Sequence, residues 1–172
     1  HGEYVGAEFP NGDVNVIKPK INPKYMEFYE IKKLMNIPSN AVIQERHFRE
    51  AFNHANEQLS KGTEETIDFL DLMYNYLHSK SGIDDEESKI DKTIVDVMNK
   101  INDAKLKYSK LFYQNAPNII STIESGKVNV LDLSQVDEYV ASVLVSHILR
   151  NSLQRSKDAA HTGNKEDLMK NS

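Results

Sequence analysis

The chain has 172 residues, 39% of them hydrophobic and 27% charged, a length and balance that suit an ordinary folded domain and are too apolar for a disordered one. A formal net charge of −5 and a pI near 5.7 argue against a nucleic-acid-binding module driven by bulk charge. Cysteine is absent, which excludes a disulfide framework, a thiolate metal site and a cysteine nucleophile and fits a cytoplasmic origin; no apolar run approaches the roughly 20 residues that span a bilayer.

The chain opens on His1-Gly2-Glu3-Tyr4, which is neither an initiating methionine nor a signal peptide, so the sequence reads as a piece of something longer. Residues 1–23 are rich in Gly, Pro and Asn, with one β-like alternation at Val14-Asn15-Val16-Ile17. Pro19 and Pro23 close that segment and open a helix from about Lys24 to Met35, which Pro38 ends. Ser39 or Asn40 can cap a second helix running to about Lys61, its apolar positions Ala41, Phe48, Phe52, Ala55 and Leu59 in helical spacing. Glu45 and Arg49 lie one turn apart on its wet side. A third helix, from about Thr63 to Ser79, is expected to bury Ile67, Leu70, Tyr74 and Leu77.

Gly82 and the acidic run Asp84-Asp85-Glu86-Glu87 follow, and acidic residues there favour the positive end of a helix dipole, so the run reads as a helix start. A calcium loop is the competing reading, but the required glycine and the distal glutamate spacing are missing. The fourth helix, roughly Glu87 to Gln114, places Ile90, Ile94, Val97, Ile101, Ala104, Tyr108 and Leu111 at alternating steps of four and three. That spacing suits packing along nearly parallel or antiparallel neighbours, as bundle core rather than a self-associating coiled coil.

After Pro117 the character changes. Ile119 to Glu124 reads as a short helical turn ended by Gly126, and Lys127 to Leu133 as a strand. Ser134 then serves as an N-cap, with Asp137 three residues on, for a helix from Gln135 to about Lys157. That helix is apolar on most sides early, through Val136, Val140, Ala141, Val143, Leu144, Val145 and Ile148, and calls for burial on more than one face. A strand feeding at once into such a helix is an α/β unit. The expected organisation is mainly α. Residues 1–23 form a core-derived segment, 24–116 an antiparallel helical bundle inserted into it, 117–158 a core-derived strand and helix, and 159–172 a polar linker. Neither flank has enough strands for a sheet alone, so the strand-like segments 14–18 and 127–133 are expected to lie together.

The chemistry that motifs announce is mostly missing. Gly126-Lys127 lacks the upstream glycine and the hydroxyl of a P-loop, and no dinucleotide fingerprint, nucleophile elbow or zincin motif occurs. His47 and His54 lie two turns apart near Glu50 and Glu57, but Gln44 stands where a ferritin-like helix would place glutamate, so polar residues on a bundle surface are the expected reading and no metal is called. His147, in an apolar stretch, reads as a satisfied core residue. Basic residues group as Lys18, Lys20 and Lys24; as Lys100, Lys105, Lys107 and Lys110; and as Arg150, Arg155 and Lys157. Each group can reach phosphate, although acids interleave with all of them.

The flanks carry a resemblance. His1-Gly2-Glu3-Tyr4 is similar to the end of the Asp-Pro-His-Gly-Glu-Tyr segment of HerA-like ATPases, which follows their P-loop helix. Ile21-Asn22-Pro23, Glu30-Ile31-Lys32-Lys33-Leu34-Met35 and Gln44-Glu45 look like the entry into that family's helical insert. Gly126-Lys127-Val128-Asn129-Val130-Leu131-Asp132-Leu133-Ser134 resembles the family's Gly-x-Val-x-Val-x-Asp-Leu-Ser strand and helix, which precede Walker B. Order and spacing agree over essentially the whole chain.

The resemblance implies a RecA-like, hexameric motor of the HerA/FtsK superfamily that moves duplex DNA and works with a NurA-type nuclease in end resection. It implies ATP and magnesium for the longer protein and none held by these residues, which would fall between Walker A and Walker B. Glu3, Asp132 and Ser134 become the nucleotide-proximal candidates, and Lys18, Lys20, Arg150 and Arg155 candidate contacts to DNA or a partner. No complete catalytic set is present, and phosphoryl transfer without phosphate- and metal-holding groups is not expected. The competing readings are a stand-alone helical interaction module, a four-helix carboxylate metal enzyme, and a different P-loop motor with a similar insert.

Overall fold

The computed structural model describes residues 14–62, 68–85 and 88–162. They form strand β1 (Val14–Ile17), helices α1 (Phe28–Leu34), α2 (Val42–Ser60), α3 (Phe69–Lys80) and α4 (Lys92–Lys107), strand β2 (Val128–Leu131) and helix α5 (Glu138–Thr162), with short 3-10 turns at Pro23–Tyr25 and Ile119–Thr122. The fold is mainly α with one small sheet. It divides into two compact units, one made of Asn22–Asn115 and the other of the segments before and after it.

The helical unit starts differently from the single helix that Pro23 announces. Asn22 accepts a hydrogen bond from the Lys24 amide and Met26 returns to an extended conformation, which confines the first turn to Pro23–Tyr25. α1 begins after Glu27, whose amide donates to the Glu30 carboxylate at 2.9 Å. It ends in a Schellman motif, with Asn36 left-handed at φ 51° and the Ile37 amide donating to the Lys32 carbonyl at 3.3 Å. Pro38 therefore follows a helix that Asn36 has already closed. Neither Ser39 nor Asn40 caps α2; the cap position falls to Ala41, which supplies no side-chain acceptor.

The core of this unit is a layer of facing side chains from α2, α3 and α4. Phe48, Ala51 and Ala55 of α2, Met73 and Leu77 of α3, and Val97 and Ile101 of α4 are all essentially inaccessible. Phe28 packs against Phe48 and Phe52 at ring separations of 5.7 and 5.6 Å, and Phe52 against Phe69 at 5.5 Å, so an aromatic row joins α1, α2 and α3. Arg49 lays its guanidinium 3.8 Å from the Phe28 ring centre while binding Glu45, whose carboxylate also takes Lys32 of α1. α3 buries Phe69, Leu70, Leu72, Met73 and Leu77, whereas Tyr74 is only half-buried. Ile67 lies outside the described residues.

α3 and α4 run antiparallel. Asp91 at the start of α4 donates its amide to the Ser81 carbonyl, and Lys105 near its end pairs with Asp71 at the start of α3. The acidic run is not the start of α4: Asp91 is the N-cap, accepting from the amides of Thr93 and Ile94, so Ile90 precedes the helix and is 49% exposed. Glu86 and Glu87 lie outside the described residues. The remaining six positions of the four-and-three pattern are buried, the last two, Tyr108 and Leu111, in the turns beyond Lys107. Gly82 makes the α3–α4 turn possible at φ +74°, where a Cβ would meet the Lys89 carbonyl oxygen at 3.1 Å.

In the second unit β1 and β2 pair in parallel, Val14 opposite Val128 and Ile17 opposite Leu131. The expectation that these segments lie together holds, although the strands are shorter than 14–18 and 127–133. Asn15 donates to the Asn129 carboxamide oxygen at 2.8 Å and to the Thr122 carbonyl at 2.7 Å. Asn129 also binds the backbone of Glu124 and Lys127, so the pair ties the Ile119–Thr122 turn to the sheet. α5 begins three residues later than expected and runs past Lys157 to Thr162. Its cap is Asp137, accepting from the Val140 amide at 2.8 Å, because Ser134 is engaged elsewhere. One face of α5 is buried through Val140, Val143, Leu144 and His147, while Val145, Leu149 and Leu153 stay exposed. Burial on several faces is not realised within these residues.

Candidate functional site at the carboxyl ends of the paired strands

Parallel strands deliver their carboxyl ends to the same edge, and in open α/β sheets that edge is where ligands bind. Here β1 ends on Ile17 and leads to Lys18, and β2 ends on Leu131 and leads to Asp132. The Asp132 amide donates to the Ile17 carbonyl at 2.9 Å, which extends the ladder by one bond and holds the two exits side by side.

Beyond the ladder the chain turns sharply. The Asp132 carboxylate accepts the Ser134 amide at 3.0 Å, and the Val136 amide donates to the Leu133 carbonyl at 3.1 Å. Asp132 is 8% exposed. The Ser134 hydroxyl and amide, with a smaller contribution from the nearby Lys18 charge, hold its carboxyl below the ordinary aspartate range against the opposing effect of burial. Asp132 and Ser134 thus form one hydrogen-bonded turn, and α5 is launched from it by Asp137. The signal for that cap was in the sequence, since aspartate favours caps as strongly as serine does.

The remaining nucleotide-proximal candidate, Glu3, lies outside the described residues. Lys18 and Lys20 are exposed on either side of Pro19, just after β1. Arg150 and Arg155 both lie on α5, five residues and therefore roughly 140° apart around the helix, so they do not share a face. The two arginines and the two lysines thus belong to different elements.

The histidines go to separate partners. His47 lies 3.8 Å from Glu50 and 3.9 Å from Asp91, the cap of α4, while His54 stacks on Tyr76 with ring centres 4.5 Å apart. Their shared helix face therefore does not converge on one point, and among the described residues no three His, Asp or Glu side chains are placed to hold a metal ion. His147 is 1% exposed and hydrogen-bonds Asn151 one turn on. Among the described residues no helix is long and apolar enough to cross a membrane. What the sequence reading missed is the Asn15–Asn129 pair. Its only signal was asparagine at the same place in two Val-Asn-Val segments.

Residues 1–152 match the family described as "Helicase HerA, central domain". The chain is 35% identical to a protein of Saccharolobus solfataricus named DNA double-strand break repair helicase HerA, over 95% of the chain and 33% of that protein. Proteins of the same name from Sulfolobus acidocaldarius and Pyrococcus furiosus are 33% and 30% identical, over 92% and 87% of the chain. The chain spans about a third of the length of these relatives. With the match running through the paired strands, the Asp132–Ser134 turn and most of α5, this chain belongs to the HerA helicase central-domain family.

Proposed function

We propose that these residues form the helical insert and adjoining core of an ATP-driven DNA helicase or translocase acting in double-strand break repair, and that alone they do not hydrolyse ATP. The observation that carries the reading is the Asp132–Ser134 turn, set at the carboxyl edge of two parallel strands inside a chain that HerA helicases match almost throughout. In the longer protein a hexameric ring, ATP with magnesium, duplex DNA and a NurA-type nuclease are the assembly, cofactors and partners proposed.

The donor set does not fit a nucleotide by itself. Asp132 already spends its carboxylate on Ser134, and no glycine-rich Lys-Ser/Thr loop exists in the sequence to cradle phosphate. The role proposed for Asp132 and Ser134 is to shape the edge on which the longer protein assembles its site. Lys18 and Lys20, exposed at that edge, are proposed to contact phosphate or a partner, and Arg150 and Arg155 to do so from α5.

The test is ATP hydrolysis with and without duplex DNA by the 172 residues and by a form extended at both ends. The expected result is no turnover by the former and DNA-stimulated turnover by the latter. Hydrolysis by the 172 residues alone would refute the reading. An inert extended form would favour the helical interaction module instead.

A further inference from the structure

In the helical unit, one face of α2 and α1 is apolar and positive at once. Val42 and Ile43 at the start of α2 are 73% and 55% exposed, and Tyr29 of α1 is 62% exposed. Val42, Arg46 and Arg49 follow one another at steps of four and three, which sets them along one strip of α2, and Ile43 borders it three residues before Arg46. The Arg49 guanidinium lies 5.8 Å from the Tyr29 ring centre, so the strip continues onto α1. Exposed hydrophobics scattered singly are ordinary, but three large ones gathered around two arginines mark an interaction surface.

The charge of the strip says what it fits. Glu45 beside it is shared between Lys32 and Arg49. Arg46 is exposed, and Glu50, the acid one turn on, lies 3.8 Å from the His47 ring. The strip runs on through Asn53 and Asn56 without a carboxylate, so this face is positive in a chain whose net charge is −5. Duplex DNA is a poor complement, because its affinity comes from many phosphate contacts and Val42 and Ile43 offer phosphate nothing. The same face of a second copy would set arginine against arginine. Tyrosine and arginine beside aliphatic side chains are the composition of a protein interface, and the complement is a helix with carboxylates on one side and apolar groups on the other.

We propose that this face of α2 and α1 docks an acidic, amphipathic helix of a different protein, with its apolar side on Val42, Ile43 and Tyr29 and its carboxylates on Arg46 and Arg49. The proposal rests on the surface of the helical unit and not on ATP hydrolysis, so it stands or falls separately from the functional test. The 172 residues should be titrated against a fluorescent synthetic helical peptide of about 18 residues, or five turns, with glutamate on one face and leucine on the other. Fluorescence anisotropy is expected to show saturable binding that weakens as salt is added. Arg46→Glu should weaken it about tenfold and Val42→Ala several-fold, while Lys110→Glu, the same change of charge elsewhere, leaves it unchanged. Circular dichroism of each variant confirms that the helices are retained. Absence of saturable binding, or equal binding by Arg46→Glu and the parent chain, would overturn the proposal. So would tighter binding of a short DNA duplex than of the peptide, or self-association in sedimentation that Arg46→Glu abolishes, which would make DNA or a second copy the occupant.

Discussion

Asn15 and Asn129 stand opposite each other in the parallel register, and the Asn15 amide donates to the Asn129 side-chain oxygen at 2.8 Å. They are 114 residues apart in sequence, with the whole helical unit between them. A polar pair thus anchors the sheet in which, among the described residues, the two ends of the second unit meet as strands. Asn129→Ala removes the acceptor for Asn15 and the bonds to Glu124 and Lys127 in the preceding turn, and is expected to cost about 1–3 kcal/mol in denaturant unfolding. Combining it with Asn15→Ala should cost less than the sum of the singles, and strict additivity would show that the pair is not coupled.

Phe48 and Val42 test the difference between apolar and buried. They lie on the same helix, Phe48 fully inaccessible and Val42 73% exposed. Phe48→Ala should destabilise by about 3–5 kcal/mol, since it removes one end of the aromatic row and leaves a cavity on the buried face of α2. Val42→Ala should stay within about 0.5 kcal/mol. Comparable losses in urea titrations would mean that α2 is rotated from the orientation described.

Gly82 and Gly62 are both left-handed, at φ +74° and +66°, but only Gly82 has a neighbour within reach of a Cβ. Gly62→Ala is expected to carry the backbone cost alone, about 1 kcal/mol. Gly82→Ala adds the approach to the Lys89 carbonyl and should lower the melting temperature further. Equal effects would place the α3–α4 turn differently.

Asp132 sets a pH dependence whose sign follows from its partners. Its folded-state pKa is depressed, chiefly by the Ser134 hydroxyl and amide, so the charged form is the one the fold stabilises. The contribution is fully present above the unfolded value of about 4 and is lost as pH falls through the lower folded value. Asp132→Asn should therefore lower stability at pH 7, with the gap to the parent chain closing below about pH 4. A gap that widened on acidification would reverse the assignment.

Asp137 and Ser134 compete as the start of α5 in the sequence, and the structure chooses Asp137. Asp137→Ala is expected to cost about 1 kcal/mol and reduce helicity at the first turn. Ser134→Ala should leave that turn intact and act instead through the Asp132 turn, which amide exchange at Val140 distinguishes.

Local physics was sufficient for much of this protein. The four-and-three spacing from Ile94 to Ala104 marks the buried strip of α4 because helical periodicity is set by backbone geometry alone. The Val-Asn-Val segments read as strands, and three short motifs, of which Gly126-Lys127 through Ser134 is the most specific, carried the family by their order along the chain. Other features depend on what the chain meets after it folds. Whether a helix starts at the acidic run 84–87 or at Asp91, or at Ser134 or Asp137, turns on which acceptor meets the free amides in the fold, and Ser134 is bonded to Asp132, whose amide pairs with Ile17. The apolar length of α5 was plain in the sequence. Its division into a buried side and an open side was decided by tertiary neighbours, the Ile119–Thr122 turn among them, since burial depends on contacts that residue order does not specify.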